Sequence, residues 1–223
     1  MAAFATLPRL GFPSFSRNLA ITSIALLGAT GNVGSRLLDE ALSRGHQVTA
    51  LVRDPARLAP RTGLTVVAGD VARPKTAQAL AGCEVLLSSL RFADTAPAAL
   101  LDFARAAGIP RLLIVGGAAS LSLPDGSRLF DAPAFPAEYR HEAGAGIATL
   151  EALREVSDLD WVFVSPQMVF APGERTGHFR LGRDALLFDA AGDSRISYED
   201  FAVALLDEVE RPAHHRTRFT IGY

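Results

Sequence analysis

The strongest constraint on the fold of this chain is a glycine-rich turn between a mainly apolar run and a helical pattern. The run covers residues 21–27, and apolar residues recur at helical spacing over 35–42. Between them, Gly28, Gly31 and Gly34 follow one another at intervals of three. Glycines at such a junction allow a tight turn, close approach of a pyrophosphate and close packing of the helix. The pattern predicts a dinucleotide site at a helix N-terminus, the alternative being a tight turn without a ligand.

Strand-like and helix-like segments alternate along the rest of the chain. Further strands are predicted over 48–52, 64–68, 84–87, 111–115 and 161–164, and helices over 32–44, 75–81, 96–107 and 138–156. The strand segments are apolar and nearly continuous, as is typical of strands covered on both faces. The alternation predicts an α/β fold with a Rossmann-like, doubly wound parallel sheet.

The pattern changes after Pro166. Turn residues are followed by a short β-like segment over 185–188, a helix over 198–210 and a last strand over 218–221. This part is too short for a core of its own. We therefore expect a single NAD(P)-binding domain over 21–223, with a small C-terminal cap on the substrate side of the cleft.

Composition narrows the possible partners and compartment. The formal net charge of −2 gives no electrostatic basis for binding nucleic acid or an anionic membrane. No apolar run approaches the roughly 18–20 residues needed to cross a bilayer. The single cysteine, Cys83, excludes an internal disulfide, and a buried residue is favoured over a nucleophile. These features predict a cytoplasmic protein with a small-molecule partner, and they leave the oligomeric state open.

The first twenty residues differ in composition from the rest of the chain. Residues 1–20 include Arg9 and Arg17 and no acidic residue, a bias shared by transit peptides and by upstream extensions of bacterial coding sequences. Pro8 and Pro13 interrupt any long amphipathic helix. We favour a weakly ordered N-terminal extension.

The end of the second predicted strand indicates which nucleotide is bound. An acidic residue at this position accepts hydrogen bonds from a ribose 2′-OH, whereas an arginine accommodates a 2′-phosphate. Arg53 comes first here, and Pro55 draws Asp54 into a turn. Arg53, with Arg57 nearby, therefore predicts NADP(H) in preference to NAD(H). An ordinary solvated Arg53–Asp54 pair is the alternative.

Several motifs resemble a known family. The Gly-Ala-Thr-Gly-x-x-Gly turn is similar to that of the extended and atypical short-chain dehydrogenase/reductases. Together with segments 135–139, 160–166, 172–177 and 194–197, it most resembles the NmrA-like subgroup of NAD(P)H-binding proteins described as NADH–flavin reductases. The resemblance implies a Rossmann fold that binds NAD(H) or NADP(H).

The predicted cofactor site combines the glycine turn with the loops that follow the strands. In the resembled family an aspartate at the place of Asp70 lies beside the adenine, and the next residue packs on the ring; the alternative is a helix cap before Pro74. The full predicted set is Gly28, Thr30, Gly31, Asn32, Val33, Gly34, Arg53, Asp70, Val71, Ser88, Ser89, Leu90, Gly116, Gly117 and Pro166.

The chain lacks the catalytic pair of the typical carbonyl reductases. These enzymes use Tyr-x-x-x-Lys, in which the lysine lowers the pKa of the tyrosine. Here Tyr139 is followed four residues later by Ala143, and the only lysine is Lys75. Tyr139 and Ser120 are the catalytic candidates, although Ser120 without its partners is also explained as a pocket-lining residue.

Hydride transfer to a flavin, a quinone or a similar acceptor suits the missing pair, because such an acceptor takes its proton from water. A non-catalytic redox sensor that acts through a protein partner is the alternative. Phe170, Phe179 and His178 are further candidates for stacking or proton supply, and core packing explains the phenylalanines equally well. Three other histidines, His141, His214 and His215, have no metal-like partners, so surface positions and no metal site are predicted.

Overall fold

The computed structural model describes residues 21–223, so the predicted N-terminal extension lies outside the described residues. Within residues 21–223 there are ten strands: β1 (Ser23–Leu27), β2 (Gln47–Val52), β3 (Leu64–Ala68), β4 (Val85–Ser88), β5 (Arg111–Val115), β6 (Asp160–Ser165), β7 (Val169–Ala171), β8 (Arg180–Gly182), β9 (Arg195–Ser197) and β10 (Thr217–Gly222). The α-helices are α1 (Asn32–Ser43), α2 (Pro97–Ala107), α3 (Arg140–Arg154) and α4 (Tyr198–Glu210). A 3₁₀ helix, Pro74–Leu80, stands where an α-helix is predicted over 75–81.

Eight of the strands form one sheet in the order β3-β2-β1-β4-β5-β6-β10-β8. Every neighbouring pair is parallel except β10 and β8, which are antiparallel. The chain reverses its direction of travel across the sheet between β1 and β4. In folds of this kind, ligands bind outside the carboxyl ends of the strands at such a point. The predicted Rossmann-like, doubly wound fold is confirmed.

The two faces of the sheet carry separate apolar cores. Leu26 and its neighbours on one face pack with α1 and α4, and Leu27 and its neighbours on the other face pack with α2 and α3. Successive residues of a strand point to opposite faces, so an apolar run buries both sides. This explains the continuous apolar character of the strand segments.

The C-terminal part of the chain divides between the main sheet and its carboxyl edge. Helix α4 and strand β10 complete the layers of the fold, and α4 packs against α1. Strands β7 and β9 form a separate two-stranded parallel sheet. It follows β6 and leads directly into α4, and it therefore lies at the carboxyl edge.

The prediction of a β-like segment over 185–188 is wrong. Only Ala185 makes an isolated bridge, to Ser122, and the strand that closes this end of the sheet is β8. The backbone N–H of Leu187 donates to the side-chain oxygen of the buried Gln167 at 2.9 Å. Because a side chain and a loop accept the backbone hydrogen bonds of this segment, it does not pair with a neighbouring strand.

An aromatic stack explains two glycines. Phe92 stacks on Phe163 at 5.8 Å, and a Cβ on Gly146 would lie 3.0 Å from the Phe92 ring. A Cβ on Gly116 would lie 2.3 Å from the Phe163 ring. Both glycines therefore give the stack room.

Among the described residues, no helix is long and apolar enough to cross a membrane.

Candidate functional site

The predicted cofactor residues lie along one edge of the sheet. Register fixes this arrangement, since Leu27 is opposite Ser88 and Ser88 is opposite Ile114. The alignment continues past the end of β5, where the N–H of Gly116 donates to the carbonyl oxygen of Val164 in β6 at 2.8 Å. From β3 to β6, the edge carries Asp70 and Val71, Arg53, the glycine turn, Ser88 to Leu90, Gly116 and Gly117, and Pro166.

The glycine turn is held by contacts that exclude any side chain. Gly28 has φ of +81°, and a Cβ there would lie 2.5 Å from the carbonyl oxygen of Ser89. A Cβ on Gly34 would lie 2.0 Å from the carbonyl oxygen of Gly28. The N–H of Gly31 donates to that same oxygen at 2.9 Å. The turn thus packs backbone on backbone between α1 and the loop after β4.

The N-terminus of α1 is open to solvent. Gly31 occupies the N-cap, no side chain of the described residues caps the first turn, and no acidic residue stands in that turn. Gly31 and Asn32 are exposed, whereas Val33 packs against the core. The first N–H groups and the positive end of the helix dipole are therefore available to an anion. A pyrophosphate can approach these groups closely, because no side chain of residues 21–223 caps them.

Two arginines stand in the segment after β2, the strand that pairs with the one leading into the glycine turn. Arg53 is exposed, and neither Arg53 nor Arg57 forms an ion pair with any residue of 21–223. Arg57 instead reaches the carbonyl oxygen of Thr30 at 3.5 Å. The carboxylate of Asp54 accepts from Ala56 N–H at 3.1 Å and caps a short 3₁₀ turn. Arg53 and Asp54 are both exposed and form no ion pair with each other, and the role of Arg53 toward a 2′-phosphate stays a prediction.

Asp70 shapes the loop after β3. Its carboxylate accepts from the N–H of Ala72 at 2.9 Å, and Arg73, not Asp70, is the N-cap of the following 3₁₀ helix. The alternative role as that helix's cap is thus not what the structure shows. Val71 is buried in the core shared with α2 and α3, and the adenine-side role of the pair stays a prediction.

Helix α3 anchors the loop after β4 through a residue that the sequence motifs do not single out. The carboxylate of Glu142 accepts from the N–H groups of Phe92 and Ala93 at 2.8 and 2.9 Å. Ser88 is buried, and Ser89 and Leu90 are half-buried. Glu142 thereby fixes the path of the chain that leaves the predicted cofactor residues. Its place in the first turn of a helix is the one sequence signal for this role.

The loop after β5 places Ser120 in an ion-pair network. The Ser120 hydroxyl accepts from the guanidinium of Arg218 at 2.9 Å, and the buried Arg218 also pairs with Asp184. Gly117, by contrast, faces open space, because a Cβ at this position would have no atom of residues 21–223 within 4 Å. Ser120 thus has a structural partner, and its catalytic role stays a prediction.

Tyr139 stands at the N-cap of α3, with its side chain largely free. It is 61% exposed, and Met168, which follows the end of β6, is 52% exposed. Both lie on segments that leave the carboxyl ends of adjacent strands, β5 and β6. They offer apolar surface beside the predicted cofactor edge. Phe170, in contrast, packs on Tyr198 and Phe201 and belongs to the core.

Replacing Tyr139 with phenylalanine is expected to lower kcat less than about tenfold, or about 1.4 kcal/mol. No lysine stands four residues later to activate the phenol, and the ring area is retained. Steady-state kinetics beside calorimetric nucleotide titration measures the effect. A loss of several orders of magnitude at unchanged nucleotide affinity would show that the phenol acts as an acid without its lysine.

A cleft of about 490 Å³ lies beside the β7–β9 sheet. It is lined by Val169, Ala171, Pro172, Gly173, Glu174, Thr176, His178, Arg195, Ile196, Ser197 and Tyr223. None of the predicted cofactor residues lines it. Its volume lies within the roughly 300–1,000 Å³ typical of small-molecule sites.

A buried carboxylate organises the floor of this cleft. Asp200 is fully buried and accepts hydrogen bonds from the Thr176 hydroxyl at 2.5 Å, the Gly177 N–H at 2.8 Å and the Tyr223 hydroxyl at 2.9 Å. Burial and the nearby Asp200 charge raise the pKa of Tyr223. Its phenol therefore stays protonated and donates the hydrogen bond to Asp200. Segments 172–177 and 194–197, both part of the family resemblance, are thus one structural unit.

The segment 172–178 is also fastened to α1. Arg175 pairs with Glu40 at 2.8 Å, and the N–H of Gly173 donates to Glu199 at 2.8 Å, which in turn pairs with Arg36 at 3.0 Å. Burial opposes the ionisation of Glu40, but Arg175 and Arg44 outweigh it and hold its pKa below the ordinary value. The helix that carries the glycine turn therefore also supports the wall of the cleft.

Comparison with known proteins agrees with this geometry. A family model described as NAD(P)H-binding matches residues 28–212, from the first glycine of the turn to beyond α4. The chain belongs to this NAD(P)H-binding family. The family resemblance inferred from the motifs is confirmed. The residues 21–223 of this NAD(P)H-binding protein contain no cluster of side chains suited to a metal ion.

Relatives of this NAD(P)H-binding protein include several provisionally assigned enzymes. A structure from Bacteroides thetaiotaomicron, assigned as an epimerase, is 40% identical, with a TM-score of 0.86, and covers 92% of this chain and 98% of its own. One from Streptococcus pneumoniae, assigned as an NADH-flavin reductase, is 32% identical, with a TM-score of 0.78, and covers 90% and 99%. A 3-diazoavenalumate denitrifying reductase from Streptomyces is 34% identical in an alignment 188 residues long, which covers 73% of this chain and 60% of that protein.

Proposed function

We propose that this protein is a cytoplasmic reductase that uses NADP(H) in preference to NAD(H) and passes hydride to a flavin, a quinone or a similar acceptor. The observation that carries the proposal is the open N-terminus of α1. There the glycine turn packs backbone on backbone, Arg57 reaches the carbonyl oxygen of Thr30 in the turn, and neither Arg53 nor Arg57 has an ion-pair partner in 21–223. Two relatives named as reductases, each more than 30% identical, support this activity.

The residues present suit a bound dinucleotide. The exposed backbone of Gly31 and Asn32 would hold the pyrophosphate, Arg53 the 2′-phosphate, and Gly117 leaves open space where a side chain would stand. The reduced nicotinamide supplies the hydride. The apolar surfaces of Tyr139 and Met168 would exclude water from the nicotinamide end of the cofactor edge. A planar acceptor needs orientation more than acid catalysis.

The proposed activity is tested by following NADPH oxidation optically with a panel of flavins and quinones, beside calorimetric titration of NADPH. Turnover above the rate without enzyme supports a reductase. Tight NADPH binding without turnover would contradict it and would favour the non-catalytic sensor. The exposed apolar side chains of Met168, Val169 and Leu181 would then be candidates for the partner surface.

Replacing Arg53 with alanine is expected to weaken NADPH binding about tenfold or more and to leave NADH binding nearly unchanged. A charge-assisted hydrogen bond to the 2′-phosphate is lost only with NADPH. Calorimetric titration of both nucleotides measures the change. Arg61→Ala is the matched control, because Arg61 is an exposed arginine paired with Asp39. Equal affinities of the wild type for the two nucleotides would contradict the predicted preference.

A further inference from the structure

We infer that the cleft beside the β7–β9 sheet is the acceptor site and that it selects an uncharged planar ring compound over an anionic one. The inference rests on the proposed reductase function and adds the place and the chemical class of the acceptor. Position supports it first. Val169 lines the cleft and follows Pro166, at the predicted cofactor edge, by three residues, a distance of at most about 11 Å.

The surface of the cleft suits a flat apolar ring. Val169 and Ala171 lie on the same face of β7, opposite Arg195 and Ser197 of β9, and Pro172 and Ile196 complete the apolar part of the lining. The hydroxyl groups of Thr176, Ser197 and Tyr223 also line the cleft, but all three are engaged with one another or with Asp200. The imidazole of His178 forms no hydrogen bond within 21–223 and is exposed, so it is available to a ring carbonyl or nitrogen.

The charges around the cleft disfavour an anion. Glu174 lines it and forms no ion pair with the described residues, and the buried Asp200 carboxylate lies beneath. The one lining guanidinium, that of Arg195, is already paired with Asp189 at 3.3 Å and lies over the Tyr223 ring. A phosphate brought here would meet the Glu174 carboxylate, which has no ion-pair partner within 21–223. At the glycine turn the situation is the reverse, because Arg53 and Arg57 are free of carboxylate partners among residues 21–223.

Riboflavin and FMN test this selectivity, because they share one ring system and differ by a phosphate. In the reaction, the nicotinamide gives a hydride to the ring and the buffered solvent gives one proton, so NADPH, H⁺ and riboflavin become NADP⁺ and dihydroriboflavin. At about pH 8 and low salt, kcat/KM for riboflavin is expected to exceed that for FMN at least about fivefold. Glu174→Gln is expected to bring the ratio close to one. An equal preference in the wild type, or a ratio unchanged in Glu174→Gln, would overturn the inferred selectivity.

Filling the cleft tests its position independently. Val169→Trp, at an exposed residue of the lining, is expected to lower kcat/KM for riboflavin at least about tenfold and to leave the Kd for NADPH within about twofold. Leu181→Trp is the matched control, because Leu181 is similarly exposed and lies outside the cleft. Full activity of Val169→Trp would overturn the site and leave the reductase proposal standing. A wild type that binds NADPH and reduces no acceptor would instead overturn the reductase proposal itself.

Discussion

Replacing Gly34 with alanine is expected to weaken NADPH binding at least about a hundredfold and to lower Tm. The added Cβ would lie 2.0 Å from the carbonyl oxygen of Gly28, and Gly28 is itself fixed against the backbone of Ser89. Neither partner is a flexible side chain, so α1 must move away from the sheet and its N-terminus leaves the pyrophosphate position. Calorimetric titration and thermal unfolding measure the two effects.

Two other glycines serve as controls for this prediction. A Cβ on Gly144, inside α3, would meet only Phe130, at 3.9 Å, so Gly144→Ala should keep nucleotide binding and gain about 1 kcal/mol of helix stability. In Gly117→Ala, the added Cβ would meet no atom of residues 21–223 within 4 Å, so the fold should be retained. A ligand that occupies the space beside Gly117 in the wild type should be displaced. NADPH affinity within threefold of wild type in folded Gly34→Ala would contradict the assigned site.

Replacing Arg111 with methionine is expected to lower the free energy of unfolding by about 3–5 kcal/mol. Arg111 begins β5 and is 7% exposed, and its guanidinium pairs with Glu208 at 2.6 Å and with Asp160. Without it, the buried Glu208 carboxylate keeps its bonds to His214 and to backbone N–H groups but loses its counter-charge. Chemical denaturation measures the loss.

The matched control for Arg111 is an exposed ion pair. Arg105 pairs with Asp158 at 2.8 Å near the surface, and Arg105→Ala should leave the free energy of unfolding nearly unchanged. The double variant Arg111→Met/Glu208→Gln should recover more than half of the loss, because glutamine keeps the acceptor and removes the unpaired charge. If Arg111→Met costs as little as Arg105→Ala, this network contributes nothing specific to stability.

The parts of the fold that follow local rules are predictable from the sequence. Gly28, Gly31 and Gly34 stand where a strand must turn into a helix, and the apolar runs must be buried on both faces, so both features are visible in short stretches of sequence. The turn at Asp54 is likewise predictable from the neighbouring Pro55. Each of these inferences requires only residues within a few positions of one another.

The parts that depend on distant residues are not predictable from one sequence. Arg175 meets Glu40 across 135 positions, and Ser120 meets Arg218 across 98. No local pattern marks either pair. The segment over 185–188 has the composition of a strand, yet Gln167 takes its backbone hydrogen bond. The sequence predicts a surface position for His214, but its ring stacks on Phe219 at 4.1 Å and bonds to Glu208.

The antiparallel strand β8 has a consequence for how copies of this protein meet. A long, flat, unpaired strand at the end of a sheet invites a second chain to extend it. Here the end beyond β10 is covered by a strand of three residues, Arg180–Gly182, whose first side chain donates to the backbone oxygens of Phe188 and Tyr223. So short an edge offers little backbone for another molecule to pair with, and it protects this end of the sheet against edge-to-edge aggregation.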